Sequence, residues 1–247
     1  MTPARKASTL ILFQSHAYRI LMVKRARQLA FFPNAWVFPG GRVDAEDSLL
    51  PTQGSVSGIE DRSFAVAALR ECFEEAGVWI GVGDPTEDFR NQLNHRKAKL
   101  LDDTSLIADL DRLHFFSRRV TPVAEPKRYD TYFFLAQLTP EENPIPQADQ
   151  HETVESAWLS PTEAIERHQS GEVSLAPPTL LTLMELARYD SFEALLNAPR
   201  NLQPIMPLHR KNPDLEILLP GHPLHEIQKP FFPCTRLRLN KGVWILD

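Results

Sequence analysis

The stretch Arg70-Glu71-Cys72-Phe73-Glu74-Glu75-Ala76-Gly77-Val78 decides how the rest of the chain is read. At about 100° per residue, the carboxylates of Glu71, Glu74 and Glu75 share one helical arc roughly 100° wide. Ala65, Ala68, Leu69, Cys72 and Ala76 gather on a neighbouring arc as the expected buried face. Arg70 flanks the acidic arc beside Glu74, and the small Ala67 leaves room one turn before Glu71. Gly77 falls where a left-handed residue ends a helix. Ser57-Gly58-Ile59-Glu60 reads as a capping box, so a helix is expected from there to Ala76.

Three carboxylates at i, i+3 and i+4 repel one another and destabilise a helix. A solvated acidic face is one resolution. A divalent cation is the other, because Mg²⁺ (and Mn²⁺ in its place) takes hard oxygen ligands and keeps positions open for phosphate oxygens. Such an ion neutralises phosphate charge and lowers the pKa of a bound water. Cys72 sits on the apolar side and reads as a core residue, not a nucleophile.

Working upstream, residues 48–57 look like a surface loop, and Pro39-Gly40-Gly41 forces a tight turn after a strand at 34–38. Residues 8–13 and 19–24 read as a hairpin. Downstream, 78–82 is a candidate strand and 86–113 is expected to be helical, broken near Asp102-Asp103. Strands are expected at 114–123, 129–138 and 154–159. Ser160-Pro161 opens a helix to about His168, and Pro177-Pro178 precedes an apolar helix at 179–189. Eight prolines between Pro199 and Pro233 imply irregular or edge structure. A terminal hairpin is expected at 235–246 around Asn240-Lys241-Gly242. Strands interleaved with helices indicate an α/β (α+β) domain at about 1–190, a mixed sheet between helices, with 191–247 as an extension packed on it.

The formal net charge of −5 gives no electrostatic reason to expect nucleic acid or an anionic membrane as partner. Cys72 and Cys234 form neither a disulfide framework nor a zinc spacing. The apolar run 7–13 after Arg5-Lys6 is too short for a secretory signal, and no stretch approaches membrane-spanning length. A cytoplasmic protein is therefore expected, as a monomer or homodimer.

The 70–78 segment matches the second half of the Nudix signature, R-E-U-x-E-E-x-G-U with U apolar, at every specified position. The first half, G-x5-E, begins at Gly41 and puts Asp47 where glutamate is usual, with Glu46 adjacent. Residues 48–69 fill a spacer that is normally seven residues long, an insertion of fifteen, here assigned to 48–62. The chain thus resembles the Nudix hydrolases, which implies an α/β/α sandwich and a metal-dependent diphosphohydrolase. By that resemblance the Gly40 carbonyl, Glu71, Glu74 and Glu75 hold the metal, Arg70 orients a glutamate, and a late-loop glutamate, Glu152, assists as base or metal ligand.

Arg128-Tyr129-Asp130-Thr131, Trp158-Leu159-Ser160-Pro161 and Leu175-Ala176-Pro177-Pro178-Thr179 resemble the coenzyme-A-cleaving subgroup of peroxisomes. Leu21, Arg25, Ala26 and Phe38-Pro39-Gly40-Gly41 match its coenzyme A signature. Met22 and Val23 are soft replacements, while Ala30 stands where a second arginine is usual and Asn34 where glycine is. The resemblance implies a small diphosphate substrate, ADP-ribose-like or coenzyme A and its thioesters. Loss of one phosphate contact at Ala30 leads to an expectation of modest or absent turnover of free coenzyme A, with ADP-ribose or another nucleoside diphosphate derivative cleaved at least as well. A Nudix-fold sensor with weak catalysis is the competing reading.

Lys24, Arg25, Arg27 and Arg42 surround the glycine turn, either as phosphate contacts or as a solvated basic patch. Phe31, Phe32 and Trp36 suit either base stacking or core packing. His222-x2-His225 has no partner pair for zinc and reads as an ordinary loop.

Overall fold

The computed structural model describes residues 3–29, 32–123, 125–200, 202–211 and 215–246. Ala30 and Phe31, and with them the expected arginine substitution and one stacking candidate, lie outside the described residues. The chain opens with β1 (Arg5–Phe13), β2 (Ile20–Arg25), β3 (Ala35–Val37) and β4 (Gly40–Arg42). A short strand, β5 (Thr52–Gln53), precedes α1 (Ser63–Ala76), followed by β6 (Gly81–Val82), α2 (Glu87–Asn94) and β7 (Ile107–Asp109). Next come β8 (His114–Val120), β9 (Tyr129–Gln137), β10 (Thr153–Leu159), α3 (Pro161–Gln169), β11 (Ser174–Leu175), α4 (Pro177–Leu186) and α5 (Phe192–Asn197). The extension holds β12 (Leu208–Lys211), β13 (Leu215–Leu218), β14 (Arg236–Asn240) and β15 (Val243–Leu246).

An eight-stranded mixed sheet runs β11-β3-β2-β1-β9-β8, with β10 added to β2 and β4 to β1. β1 and β9 pair in parallel along their full length, from Arg5↔Tyr129 to Phe13↔Gln137. The other edge of β1 forks. Its end at Phe13 meets β2, while Ala7, Ser8 and Thr9 meet Arg42, Gly41 and Gly40 of β4. That fork sets the glycine turn beside the start of the sheet.

Alternation along the strands builds two cores. Leu10, Leu12, Leu21, Val23, Phe134 and Ala136 bury against α1 on one face. Their neighbours Ile11, Phe13, Ile20, Met22, Phe133 and Leu135 bury on the other, against α3, α4 and the extension. Period-2 placement is what lets one sheet serve both layers, with each fully buried Leu or Phe worth about 1.5–3 kcal/mol. The result is the expected α/β/α sandwich.

Three expectations are corrected. First, α1 starts at Ser63, not at the proposed Ser57–Glu60 box, because Gly58 takes a left-handed φ of 78°. Asp61 satisfies the helix start instead, its Oδ1 accepting from the Ser63 amide at 3.1 Å and the Ser63 hydroxyl at 2.6 Å. Second, 86–113 is α-helical only from Glu87 to Asn94, with short 3-10 turns at Leu100–Asp102 and Leu110–Arg112. Arg96 adopts φ 55°, and β7 joins β5 in parallel and β6 antiparallel, with the Ala108 amide on the Pro51 carbonyl at 2.9 Å. Burial of Leu100, Leu106 and Leu110 in tertiary contacts overrides the local helical pattern. Third, the proline-rich extension is more than irregular or edge structure: the expected terminal hairpin forms as β14 and β15 and β12 is an edge strand, but β13 is an interior strand of the four-stranded antiparallel sheet β12-β13-β14-β15. Its hairpin turn at Lys241-Gly242 has φ 49° and 86°, the twist-matched geometry expected for a two-residue loop.

Candidate active site

Arg70 organises the site. It is 8% exposed, and Nε and Nη2 donate to Asp47 Oδ1 and Oδ2 at 2.7 and 3.1 Å. Nη1 donates to Glu71 Oε1 at 3.0 Å and to Glu74 Oε2 at 2.9 Å, and Nη2 also reaches the Arg42 carbonyl at 2.8 Å. Fork-to-fork pairing of guanidinium with carboxylate fixes both partners in plane. Burial alone would lower the Arg70 pKa, but Glu71, Asp47 and Glu74 reverse this and hold the cation firmly charged. A 3-10 turn at Ala45–Ser48 delivers the shorter Asp47 side chain, with the Asp44 amide on Asp47 Oδ2 at 2.7 Å. Glu46 points away to Lys99 at 2.6 Å. Asp47 therefore does the pairing.

The glycine turn closes on the same helix. The Gly40 amide donates to Glu75 Oε2 at 3.0 Å. A Cβ at Gly41 would collide with the Glu71 carboxylate, and one at Gly40 would lie 2.5 Å from the Ser8 carbonyl. Only glycine permits this approach. Glu75 is 3% exposed, so the acidic arc is not a solvated face. Burial pushes the Glu71 carboxyl up to about 8, with Arg70 opposing and Glu74 reinforcing the shift. Burial, then the Glu71 charge, hold Glu75 well above the usual carboxylate range, and burial also raises Glu74.

Among the described residues, no three His, Cys, Asp or Glu side chains converge as a ready-made ion cage. Glu71 and Glu74 each place an oxygen on Arg70, and Glu71 and Glu75 are the two carboxylates that lie against the glycine turn. Two carboxylates packed together, the charge of Glu71 raising the proton affinity of Glu75, fit a hard cation, since Mg²⁺ is ordinarily held by one or two carboxylates, waters and substrate phosphates. Arg25 lies close enough for its charge to favour ionised Glu75, and the charge of Glu152 disfavours ionisation of both Glu71 and Glu75. Arg42 contributes its backbone carbonyl to Arg70, and its side chain lies on an exposed residue.

The C-terminal carbonyls of α1 are held from elsewhere. Glu74 O accepts from Arg90 Nε at 3.0 Å and Asn94 Nδ2 at 3.1 Å, both on α2. Glu75 O accepts from the Thr153 hydroxyl at 2.9 Å, and Ala76 O from the Gln147 amide at 3.0 Å. Gly77, at φ 71°, ends the helix as the sequence requires. Arg90, Asn94, Asp149 and Thr153 carry no motif, and the sequence reading passed over all four.

Several smaller signals resolve into packing. Trp36 is a core residue at 7% exposure. His225 accepts from the Ile227 amide through Nδ1 and sits 3.1 Å from the Met206 carbonyl through Nε2, so both nitrogens serve the loop. Burial pushes the Cys72 thiol up, which fits a core role. Lys24 pairs with Glu155 at 2.5 Å. Asn34, in place of the usual glycine, adopts φ 59°, a left-handed conformation that asparagine tolerates.

A helix whose buried carboxylates and arginine close on a Gly-Gly turn, within an α/β/α sandwich, defines a Nudix-fold protein. The chain belongs to the Nudix family: residues 50–188 match the family model described as the NUDT19 Nudix domain. A Caenorhabditis elegans protein provisionally named nudix hydrolase 7 is 30% identical over 210 residues, covering 82% of this chain and 67% of its own length. Acyl-coenzyme A diphosphatase NUDT19 of Gallus gallus is 29% identical, over 72% of this chain and 63% of that protein. Its Homo sapiens counterpart is 28% identical, over 73% and 64%. The chain therefore spans about two thirds of the length of these relatives. The solved Nudix hydrolase of Alicyclobacillus acidocaldarius superposes with a TM-score of 0.66 at 28% identity, covering 81% of this chain and 99% of that one.

Proposed function

We propose that this chain is a divalent-metal-dependent diphosphohydrolase acting on a nucleoside diphosphate derivative, with coenzyme A thioesters as the leading substrates. The observation that carries the reading is the Arg70 network, which presents Glu71 and Glu75 beneath Gly40 and Gly41. The names of the NUDT19 relatives support the coenzyme A class. The sensor reading rested on Asp47 and the inserted loop. Asp47 keeps both bonds to Arg70, and the loop precedes an unbroken helix at Ser63–Ala76.

Glu71 and Glu75, with the Gly40 carbonyl, are the groups that would hold Mg²⁺, with Mn²⁺ as a substitute. When bound, that ion supplies charge neutralisation on the diphosphate and acidifies a water. Arg70 fixes Glu71 and Glu74 in place. Glu152, beside the carboxylate pair, takes the proton as water oxygen bonds to phosphorus and the bridging P–O bond breaks. Arg25 and Arg42 supply positive charge near the departing phosphates. The hydrolase unit is assigned to 1–190, with 191–247 packed on it through Ile205, Ile217, Phe232 and Leu237. No described helix is long and apolar enough to cross a membrane, and a cytoplasmic location goes with the same reading.

The test is a panel of coenzyme A, acyl-coenzyme A, ADP-ribose and dinucleoside polyphosphates with Mg²⁺ or Mn²⁺, products resolved by mass. Cleavage of acyl-coenzyme A into an acyl-phosphopantetheine and an adenosine bisphosphate is expected. No turnover of any member with either metal would sink the hydrolase reading in favour of the sensor.

A further inference from the structure

We propose that Asp149 and Thr153 are positioning residues that fix Glu152 against the Glu71–Glu75 pair, a role that rests on Glu152 acting in the proposed hydrolysis. Glu152 is exposed and sits on the loop entering β10, where an untethered side chain would sample many positions. The loop is tethered at its backbone instead. Asp149 Oδ1 accepts from the amides of His151 at 3.1 Å, Glu152 at 3.1 Å and Thr153 at 2.7 Å, and Oδ2 accepts from Glu152 at 3.2 Å. One carboxylate thus collects three successive N–H groups, an inward-facing anion turn. Gln150 adopts φ 62° to complete it, a conformation that a glutamine holds only when its surroundings impose it.

Two further links connect that turn to the site. Thr153 is fully buried, and its hydroxyl lies 2.9 Å from both the Glu75 carbonyl and Asp149 Oδ1. The same oxygen accepts from the Asp149 amide at 3.1 Å. The helix residue that bears a site carboxylate is therefore hydrogen-bonded to the turn that bears Glu152. From outside, the Ala26 amide donates to the Glu152 carbonyl at 2.8 Å, and Gln28 Nε2 to the His151 carbonyl at 3.1 Å. These contacts run from the segment just after β2, next to Arg25, while Thr153 reaches α1, so the loop is held from both sides. Asp149 and Thr153 touch no reacting atom. They set where Glu152 stands.

Partners that orient a reacting group typically cost about 10- to 100-fold in activity when removed. The full chain is assayed with Mg²⁺ on whichever diphosphate it cleaves best. Asp149→Ala is expected to lower kcat about 10- to 100-fold with KM within about threefold. Asp149→Asn, whose amide oxygen still accepts hydrogen bonds, should recover most of that loss. Thr153→Val, an isosteric change, covers the case in which Asp149→Ala fails to fold, and Thr153→Ser should stay near wild type. The deciding measurement is the double variant Asp149→Ala/Glu152→Gln, expected to be no slower than Glu152→Gln alone because Asp149 acts through Glu152. Additive losses, or full kcat in both Asp149→Ala and Thr153→Val while Glu152→Gln is slow, would overturn the clamp and leave the role of Glu152 intact. Full activity in Glu152→Gln would remove both together.

Discussion

Each face of the main sheet buries an arginine at 8% exposure, and the two have opposite surroundings. On the α1 face, Arg70 meets Asp47, Glu71 and Glu74, and Glu75 adds a further carboxylate close by. On the opposite face, Arg119 has one carboxylate, Glu185 at 2.7 Å, together with the Pro178 carbonyl. Its guanidinium lies over the rings of Phe133 and Phe232 at 5.2 and 5.3 Å. Burial lowers the Arg119 pKa despite Glu185, whereas the carboxylates raise that of Arg70. A balanced ion pair in an aromatic sleeve is a packing element. An arginine outnumbered by carboxylates leaves excess negative charge on the α1 face, which is what the proposed metal would offset.

The largest expected effect separates the faces by activity. Glu75→Gln should lower kcat by about three orders of magnitude, the several kcal/mol expected of a metal's charge stabilisation, without lowering the melting temperature. EDTA should abolish turnover of the wild-type chain. Turnover of Glu75→Gln within tenfold of wild type would show that the acidic face is no more functional than the other.

Stability gives the next test. Arg70→Met strands three carboxylates and should cost about 3–5 kcal/mol in denaturant unfolding, as breaking a buried ion network does. Replacing the opposite pair together, Arg119→Met/Glu185→Leu, should be neutral within about 1 kcal/mol or stabilising. Equal losses in both experiments would erase the distinction drawn between them.

A smaller effect is expected in pH dependence without metal. Between the usual 4.5 and about 8, folded Glu71 keeps a proton that the unfolded chain has released. That stability is fully present below the window and is lost as pH rises through it, with Glu74 and Glu75 shifted the same way. Melting in chelator should therefore fall from about pH 5 to about pH 8, and Mg²⁺ should restore it at the alkaline end. A melting temperature that climbs across this range in chelator would contradict the burial assigned to these carboxylates. The smallest effect is expected one residue before Asp47. Glu46→Gln, at an exposed pair with Lys99, should leave unfolding unchanged, while Asp47→Asn should lower the melting temperature measurably.

The site helix was legible because its determinants are local. Spacing fixes which side chains share an arc, and Gly77 marks the end by its own backbone freedom. The paired strands 8–13, 19–24 and 129–138 were legible through apolar runs that feed both cores. β7 was not, since three residues among 3-10 turns are strand only because β5 and β6 flank them. The extension was legible in its terminal hairpin and its edge strand, while its prolines hid the interior strand β13. Pro207, Pro220 and Pro233 fall outside the strands they adjoin, where a missing amide costs no ladder bond. The choice between Glu46 and Asp47 depended on a 3-10 turn whose direction no spacing rule specifies. The tether of Asp149 to the loop bearing Glu152 likewise exists only once β10 has docked.

The parallel pairing of β1 with β9 has a consequence for the order in which the molecule is made. Ser8 and Tyr132, held together by a hydroxyl contact, are 124 positions apart, and Thr153 reaches back 78 positions to Glu75. At about 5–20 residues per second of synthesis, the acidic helix exists for roughly 4–16 s before its Thr153 partner has been added. During that interval its carboxylates lack both the completed sheet and the far loop. Contacts of such long range also slow the search for the native state. The carboxylate-bearing helix thus gains its hydrogen bond from β10 only after the strands from β1 to β9 have been made.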